Sequence, residues 1–254
     1  MLNILLHGCC GRMGAAMIRI AAADRSVNIC AGIDPNAVER NFSFPVFSRA
    51  DCCTVSCDVV VDFSNAKALP ALLDYCTMRE LPAVICTTGL NDGAERRLND
   101  ATLQIPILRS ANMSLGINLL AALIKKISGT LASTGFDIEI IEKHHRDKLD
   151  APSGTAMLLA NAANSSHSFD YVFDRSSRRV TRPKSEIGIT AVRGGTIAGE
   201  HEVMFAGADE VITFSHQALS RDIFASGALT AAKFIYGKQA GLYDMQDVFA
   251  AYLS

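Results

Sequence analysis

The sequence predicts an α/β fold, a doubly wound parallel sheet at the N-terminus followed by a second, smaller α+β part. Through residue 112, short apolar runs alternate with helical patterns, as strands buried on both faces and joined by crossover helices must read. Beyond residue 112, strands follow one another with fewer helices between them. With 254 residues, 49% of them apolar, the chain can bury a sizeable core in one large domain or two smaller ones.

The first run, residues 2–6, breaks at Gly8, after which Met13, Met17, Ile18 and Ala21 recur at helical spacing: strand, tight turn, helix. Residues 27–33 and 59–61 read as the next two strands, the latter ending in Asp62-Phe63-Ser64-Asn65. A helix over 66–79 leads to a strand at 83–86, ending in Thr87-Thr88-Gly89. A helix over 93–99 leads to another strand at 105–108. In the second part a helix over 115–127 precedes a strand at 136–141 and a helix starting near Ser153, and strands follow at 187–193, 200–206 and 210–215. The segment 164–185, rich in Ser and Arg, reads as a mobile loop. A last Ala-rich helix, 223–236, has no strand partner nearby in sequence and is expected to pack back on the first domain. The expected domains are 1–112 with 222–254, and 113–221.

A net charge of −2 from well-mixed acids and bases leaves no electrostatic footprint for nucleic acid or an anionic membrane, so a small molecule is the expected partner. The apolar opening, residues 1–23, lacks a basic leader and is interrupted by His7, Arg12 and Arg19, which reads as structure. The run at 117–124 stops at Lys125 and Lys126, short of the roughly 18 residues a spanning helix needs. A cytoplasmic protein with reduced thiols is expected, its eight cysteines serving as small apolar residues. The tightest group, Cys52, Cys53 and Cys57, lacks the paired spacing of zinc sites, so no metal is expected.

Gly8, Gly11 and Gly14 lie between the first strand and first helix, where backbone N–H groups and the positive end of the helix dipole meet a dinucleotide pyrophosphate. Tight-turn packing explains a glycine triplet equally well, and Cys10 stands where the usual fingerprint has its second glycine. Asp34, 20 residues after Gly14 at the end of the second strand, adds the acid that accepts hydrogen bonds from ribose hydroxyls. Together they point to dinucleotide binding. Arg12 either offers phosphate a cation or is a solvated surface arginine.

A second stretch, from Glu142 through His144, His145, Arg146 and Lys148 to Pro152-Ser153-Gly154-Thr155-Ala156, combines a proton donor of near-neutral pKa, a fixed cation and a helix N-terminus. It suits an anionic substrate that must be protonated as it is reduced. A basic solvated loop followed by an ordinary N-cap is the bland alternative. A metal at His144 and His145 is disfavoured, because neighbours on a strand point to opposite sides.

Gly11-Arg12-Met13-Gly14 and the segment 144–156 resemble the two signatures of the dihydrodipicolinate reductase family. Asp62-Phe63-Ser64, Thr87-Thr88-Gly89, Ser110-Ala111-Asn112-Met113-Ser114, Arg193-Gly194-Gly195, Gly199-Glu200-His201 and His216 to Arg221 are similar to further family motifs, in family order. The resemblance implies a Rossmann-type N-terminal domain; the site is expected in the cleft between the two domains, and contacts of modest size between domains commonly allow closure around ligands. In that family 4-hydroxy-tetrahydrodipicolinate loses water to a conjugated imine, hydride goes to its C4, and the adjacent carbon is protonated, giving tetrahydrodipicolinate on the diaminopimelate route to lysine. By position, His144 is implied as the general acid with Lys148 beside it. His145, Lys148, Ser153, Gly154 and Thr155 are implied to hold the carboxylates of the cyclic dicarboxylate. Gly8, Gly11, Arg12, Met13, Gly14 and Asp34, with the backbone at Thr87, Thr88, Gly89, Ala111, Asn112 and Met113, are implied to bind the cofactor. Cys10 and Cys86 depart from the family's frequent glycines, and Met113 from its common aromatic. The family is typically a homotetramer.

Asp34 favours NADH over NADPH, since its carboxylate repels the 2′-phosphate, and Pro35 and Asn36 stand where a compensating base is found in relatives that use both cofactors. Arg12 and Arg40 are the nearby cations. Two other classes share part of the pattern. Another Rossmann oxidoreductase of amino-acid metabolism has the glycine turn but not the His-His to Gly-Thr segment. A nucleotide-sensing binding protein needs no proton donor.

Overall fold

The computed structural model describes residues 1–36 and 41–253. In chain order, β1 (Leu2–His7), α1 (Arg12–Ala22), β2 (Val27–Ile33), β3 (Val46–Phe47), β4 (Val59–Asp62), α2 (Leu69–Met78), β5 (Ala83–Ile85), α3 (Asp92–Thr102) and β6 (Pro106–Arg109) come first. Then follow α4 (Leu115–Ser133), β7 (Asp137–His144), α5 (Gly154–Ala163), β8 (Asp170–Val172), β9 (Glu186–Arg193), β10 (Glu200–Ala206) and β11 (Val211–Gln217). The chain ends in α6 (Asp222–Ile235), β12 (Gly241–Tyr243) and α7 (Met245–Leu253). It divides into two compact units, Met1–Leu115 with Arg221–Ser254, and Gly116–Ser220.

The first unit is a seven-stranded parallel sheet in the order β12-β6-β5-β4-β1-β2-β3. Side chains alternate across it, as the two-residue period of a strand requires. Ile4, Leu6, Val59, Val61, Val84 and Leu108 face α1, α6 and α7. Leu5, Ala31, Ile33, Val60, Ala83, Ile85 and Ile107 face α2 and α3. Both faces are therefore dry, which is why the strands read as continuous apolar runs. Helix α6 buries Ala225, Ala228, Leu229 and Ala232, an i, i+3, i+4, i+7 stripe of mostly small residues that brings it close to the sheet. Asn91 caps α3, its side-chain oxygen accepting from Ala94 N at 2.9 Å.

The second unit is a five-stranded sheet, β11-β10-β7-β9-β8, in which β7 pairs antiparallel with β10 and parallel with β9. Ile138, Ile140, Val203 and Phe205 pack on Leu120, Ala121 and Ile124 of α4 and on Leu159, Ala160 and Ala163 of α5. By length and composition, α4 is also apolar enough to cross a membrane.

Three readings of the sequence are corrected. The segment 164–185 is not all loop: Asp170–Val172 forms β8, which pairs with Glu186–Gly188 at the sheet edge. The helix expected over 115–127 continues through Lys125 and Lys126 to Ser133, since solvated lysines interrupt an apolar run without ending a helix. The last helix is followed by β12 and α7, and β12 extends the first sheet beside β6.

Candidate active site

The strand order reverses between β1 and β4, and open parallel sheets bind ligands beyond their strand C-termini at such a switch. His7, ending β1, and Asp62, ending β4, are both buried there, with His7 Nδ1 2.9 Å from Asp62 Oδ1. Thr87 Oγ1 donates to Asp62 Oδ2 at 2.6 Å, and Ser64 N donates to Oδ1 at 3.0 Å. Burial opposes ionisation of Asp62, but the hydrogen bonds from His7, Ser64 and Thr87 outweigh it and hold the carboxyl below the usual carboxylate range. His7 Nδ1 therefore carries the proton.

The glycine turn starts next to this cluster. Gly8 has φ +81°, and a Cβ on it would lie 2.7 Å from the Phe63 carbonyl oxygen. A Cβ on Gly14 would run into the Gly8 carbonyl, so Gly14 is what lets α1 start hard against the turn. Gly11 is the N-cap of α1, with no side-chain cap and no acid in the first turn. The first-turn amides and the dipole are left for an anion, which fits a dinucleotide pyrophosphate. Arg12 is exposed at the start of α1, and Met13 packs half-buried against the core.

Asp34 is 7% exposed, and both its oxygens accept backbone N–H groups, Oδ2 from Cys10 at 3.0 Å and Oδ1 from Asn36 at 2.9 Å. It thus ties the end of β2 to the glycine turn. A cavity of about 470 Å³ opens beside it, lined by His7, Pro35, Arg49, Leu72 and Tyr75 among others, and large enough for part of a nucleotide. Arg40 lies outside the described residues. Arg49, a further cation, lines this cavity and is paired with Asp51.

In the loop after β5, Thr87 is buried, whereas Thr88 and Gly89 are exposed, Gly89 with φ +71°. Ala111 is exposed. Asn112 is buried, its Oδ1 accepting from Ser114 N at 2.9 Å. The Met113 side chain is 2% exposed in the core, and Gly227 lets α6 pass over its carbonyl. Cys9, Cys10 and Asp34 bring potential ligand atoms within 4.8 Å of one another. Burial pushes the Cys9 thiol up to about 12, and its sulfur is packed against Gly32. Both facts make it packing material.

In the second unit, the strand period puts Glu142 and His144 on the same buried face of β7. His144 Nδ1 lies 2.6 Å from Glu142 Oε2. Arg193 on β9, opposite His144, donates to both oxygens of Glu142 at 2.7 and 2.8 Å, and Ser153 N donates to Oε1 at 2.9 Å. Burial pushes the Glu142 carboxyl up, but Arg193 first, then His144 and Ser153, bring it below its ordinary range. An ionised Glu142 fixes the proton of neutral His144 on Nδ1. The other nitrogen, Nε2, faces Gly199, where a Cβ would come within 3.0 Å. Burial, with the charges of Lys148 and Arg193, outweighs Glu142 and lowers the His144 pKa.

Ser153 caps α5, its hydroxyl accepting from Ala156 N at 3.1 Å. His201, on β10 opposite Glu142, places Nε2 2.9 Å from the same hydroxyl and its ring edge-on to His144 at 5.1 Å. Burial, then His144, pushes His201 down to about 4. Gly154 is exposed, and a Cβ on it would meet nothing within 4 Å. Thr155 is half-buried in the first turn of α5, which has no acid. Lys148 donates to Asp150 at 2.8 Å. His145 lies just past the strand end, half-buried, and its ring makes no hydrogen bond among the described residues.

Of the residues named from sequence, His144 and Ser153 thus meet in one cluster. Glu142, Arg193 and His201, which complete it, were given no role. Glu142 was within reach, two residues before His144 on a strand. Arg193 and His201 arrive only through sheet register.

A family model described as dihydrodipicolinate reductase, N-terminus, matches residues 2–113, and one described as dihydrodipicolinate reductase, C-terminus, matches residues 116–249. A 4-hydroxy-tetrahydrodipicolinate reductase of Caldanaerobacter subterraneus subsp. tengcongensis is 47% identical over 250 residues, 98% of each chain. Another, of Clostridium tetani, is 45% identical over 247 residues, 96% of each. The dipicolinate-bound dihydrodipicolinate reductase from Paenisporosarcina sp. TG-14 shares the fold with a TM-score of 0.79 at 22% identity, over 96% of this chain and 97% of that one.

Proposed function

The chain belongs to the dihydrodipicolinate reductase family, and on that premise we propose that Glu142, His144 and the N-terminus of α5 are the machinery that holds and protonates its substrate. It is an oxidoreductase that reduces 4-hydroxy-tetrahydrodipicolinate, a step toward diaminopimelate and lysine. The observation that carries the assignment is the buried, ionised Glu142 bound to His144 Nδ1, which leaves Nε2, beside Gly199, as the ring nitrogen available to pass a proton. When bound, the nicotinamide supplies a hydride to C4 of the substrate.

His144 gives its Nε2 proton to the adjacent carbon. Burial makes it a stronger acid than free histidine, and a bound dianionic substrate favours the protonated form needed to act. Ser153, Gly154 and Thr155 present hydroxyls and first-turn amides to one carboxylate, and the bare Gly154 lets it approach the backbone. His145 and Lys148 take the other. NADH oxidation with enzymatically generated substrate tests the whole reading, because neither a different Rossmann dehydrogenase nor a nucleotide sensor turns over that cyclic dicarboxylate.

Lys148 swings between Asp150 and the substrate, so Lys148→Ala is expected to raise KM and lower kcat, each by about tenfold or more, as for a charge that also steadies negative charge in the transition state. Unchanged steady-state kinetics would remove Lys148 from the site.

The cofactor is held along Gly8 to Gly14, Asp34 and the loops at Thr87 to Gly89 and Ala111 to Met113, with NADH preferred and NADPH accepted. Asp34 sets the preference, because its buried carboxylate repels a 2′-phosphate and Arg49, the additional cation beside the cavity, is already paired with Asp51. The expected advantage of NADH in kcat/KM is a few-fold to about 100-fold, roughly 1 to 3 kcal/mol. Asp34→Ala should narrow it and Arg12→Ala widen it. Equal efficiency with the two cofactors at one ionic strength would show that Asp34 does not control the choice.

The protein works in the cytoplasm as a homotetramer. Supporting assembly, the sheet face of the second unit opposite α4 and α5 carries Ile141, Val192, Met204, Val211 and Thr213, with Val192 42% and Val211 59% exposed. These apolar positions alternate with Glu139, Lys143, Glu200 and Glu202 on the same face, a mixed apolar and charged surface of the kind that subunit interfaces use.

A further inference from the structure

His201 has no role in the chemistry described so far, yet it is 5% exposed and sits among Glu142, His144 and His216. Its Nε2 meets Ser153 Oγ at 2.9 Å, while its Nδ1 is buried without a hydrogen-bond partner among the described residues. Burial and the neighbouring His144 keep the ring neutral, so it carries one proton, on one nitrogen or the other. A proton on Nδ1 would bury a donor with nothing to receive it. On Nε2 it is donated to Ser153 and only a lone pair goes unpaired, the milder defect.

That choice decides what Ser153 can do. Its oxygen already accepts from Ala156 N at 3.1 Å; a second N–H, from His201, occupies its other lone pair. The hydroxyl hydrogen must then point at an acceptor outside the pair. We propose that His201 is a positioning residue that makes Ser153 an obligate hydrogen-bond donor to a substrate carboxylate at the N-terminus of α5. The inference rests on the reading that this helix end holds a carboxylate. It also gives the site selectivity by class: a group that offers only donors there, such as an ammonium, finds no acceptor on Ser153.

Three single variants, one double variant and one spectrum test it. Ser153→Ala is expected to raise KM for the dicarboxylate about tenfold or more, the effect of losing a hydrogen bond to a charged group. His201→Leu should raise the same KM comparably, with kcat and the KM for NADH changed less than about threefold, as for loss of uniform binding. His201→Gln, whose amide nitrogen can take the place of Nε2–H, should restore most of the affinity. In a Ser153→Ala background, His201→Leu should add nothing further. A Ser153→Ala variant with normal KM overturns the carboxylate reading and the proposal with it. A raised KM in Ser153→Ala combined with a normal one in His201→Leu, or independent additive losses, overturns the role of His201 alone. Nitrogen-15 spectra of the intact wild-type protein decide even if His201→Leu does not fold: a protonated Nε2 supports the proposal, and a protonated Nδ1 overturns it.

Discussion

Replacement of His144 by Gln is expected to lower kcat about 100-fold or more while leaving cofactor affinity nearly unchanged, the signature of a lost general acid. Gln fills the strand position but cannot deliver a proton at the place of Nε2. The control is His145→Gln, because His145 makes no hydrogen bond to the cluster among the described residues. If His145→Gln lost turnover and His144→Gln kept it, the proton donor would be misassigned. The pH profile gives an independent check. Burial lowers the His144 pKa below its ordinary 6.5, so the protonated fraction of the free enzyme already shrinks as pH rises on the acid side of neutrality. kcat/KM of the parent enzyme should fall over that range, and the residual activity of His144→Gln should lose this limb.

Glu142→Gln should damage both catalysis and stability. The carboxylate receives His144 Nδ1, two guanidinium nitrogens of Arg193 and Ser153 N, all from inside the protein. An amide can satisfy only part of this set, and it leaves the Arg193 charge, 19% exposed at its side chain, without the carboxylate it is bonded to. Breaking one partner of such a pair costs about 3 to 5 kcal/mol, on the order of 10 °C in melting temperature for a unit of this size. kcat should drop about 100-fold or more, because the imidazole is no longer held with its proton on Nδ1. Calorimetry and steady-state kinetics on one preparation suffice, and a variant with normal melting and normal kcat would refute the assignment.

Acid should act on the same cluster. The folded state lowers the pKa of Glu142, so its contribution is complete above about pH 4.5 and is lost as pH falls below that. His144 and His201 are held neutral, both below their ordinary 6.5, so their contribution is complete above about pH 6.5 and is lost as pH falls from there.

How far the sequence could be read depended on the distance over which each feature is specified. The glycine turn, Asp34 at the end of β2 and the Ser153 cap are local, each set by a few consecutive residues and the period of one element. The long strands and helices were legible for the same reason. β3, β8 and β12 were not, because two or three residues carry no periodicity and, unlike the wholly apolar β5, these strands do not stand out as an apolar run either; they exist through pairing with an established neighbour. The C-terminal end of α4 was obscured by Lys125 and Lys126, whose side chains reach solvent from a helix that continues beneath them. In the site, the ion pair between Glu142 and Arg193 spans 51 positions and the contact between Ser153 and His201 spans 48. No spacing rule gives either. They follow from β9 and β10 flanking β7 in a particular register, which only the folded sheet fixes.

The discontinuity of the first unit has a consequence for biogenesis. Its parallel sheet is finished, apart from β12, when residue 109 has been made, yet one face of that sheet is covered by α6, which begins at Asp222. At about 5 to 20 residues per second, a ribosome needs roughly 5 to 20 s to synthesise the intervening chain. Throughout that interval Val59, Val61, Val84 and Leu108 lack the Ala225, Ala228 and Leu229 surface that shields them in the finished protein. The nascent chain is therefore a client for chaperones that bind apolar sheet surface, and a stalled or truncated product ending before α6 is a seed for aggregation, whatever the condition of its second unit.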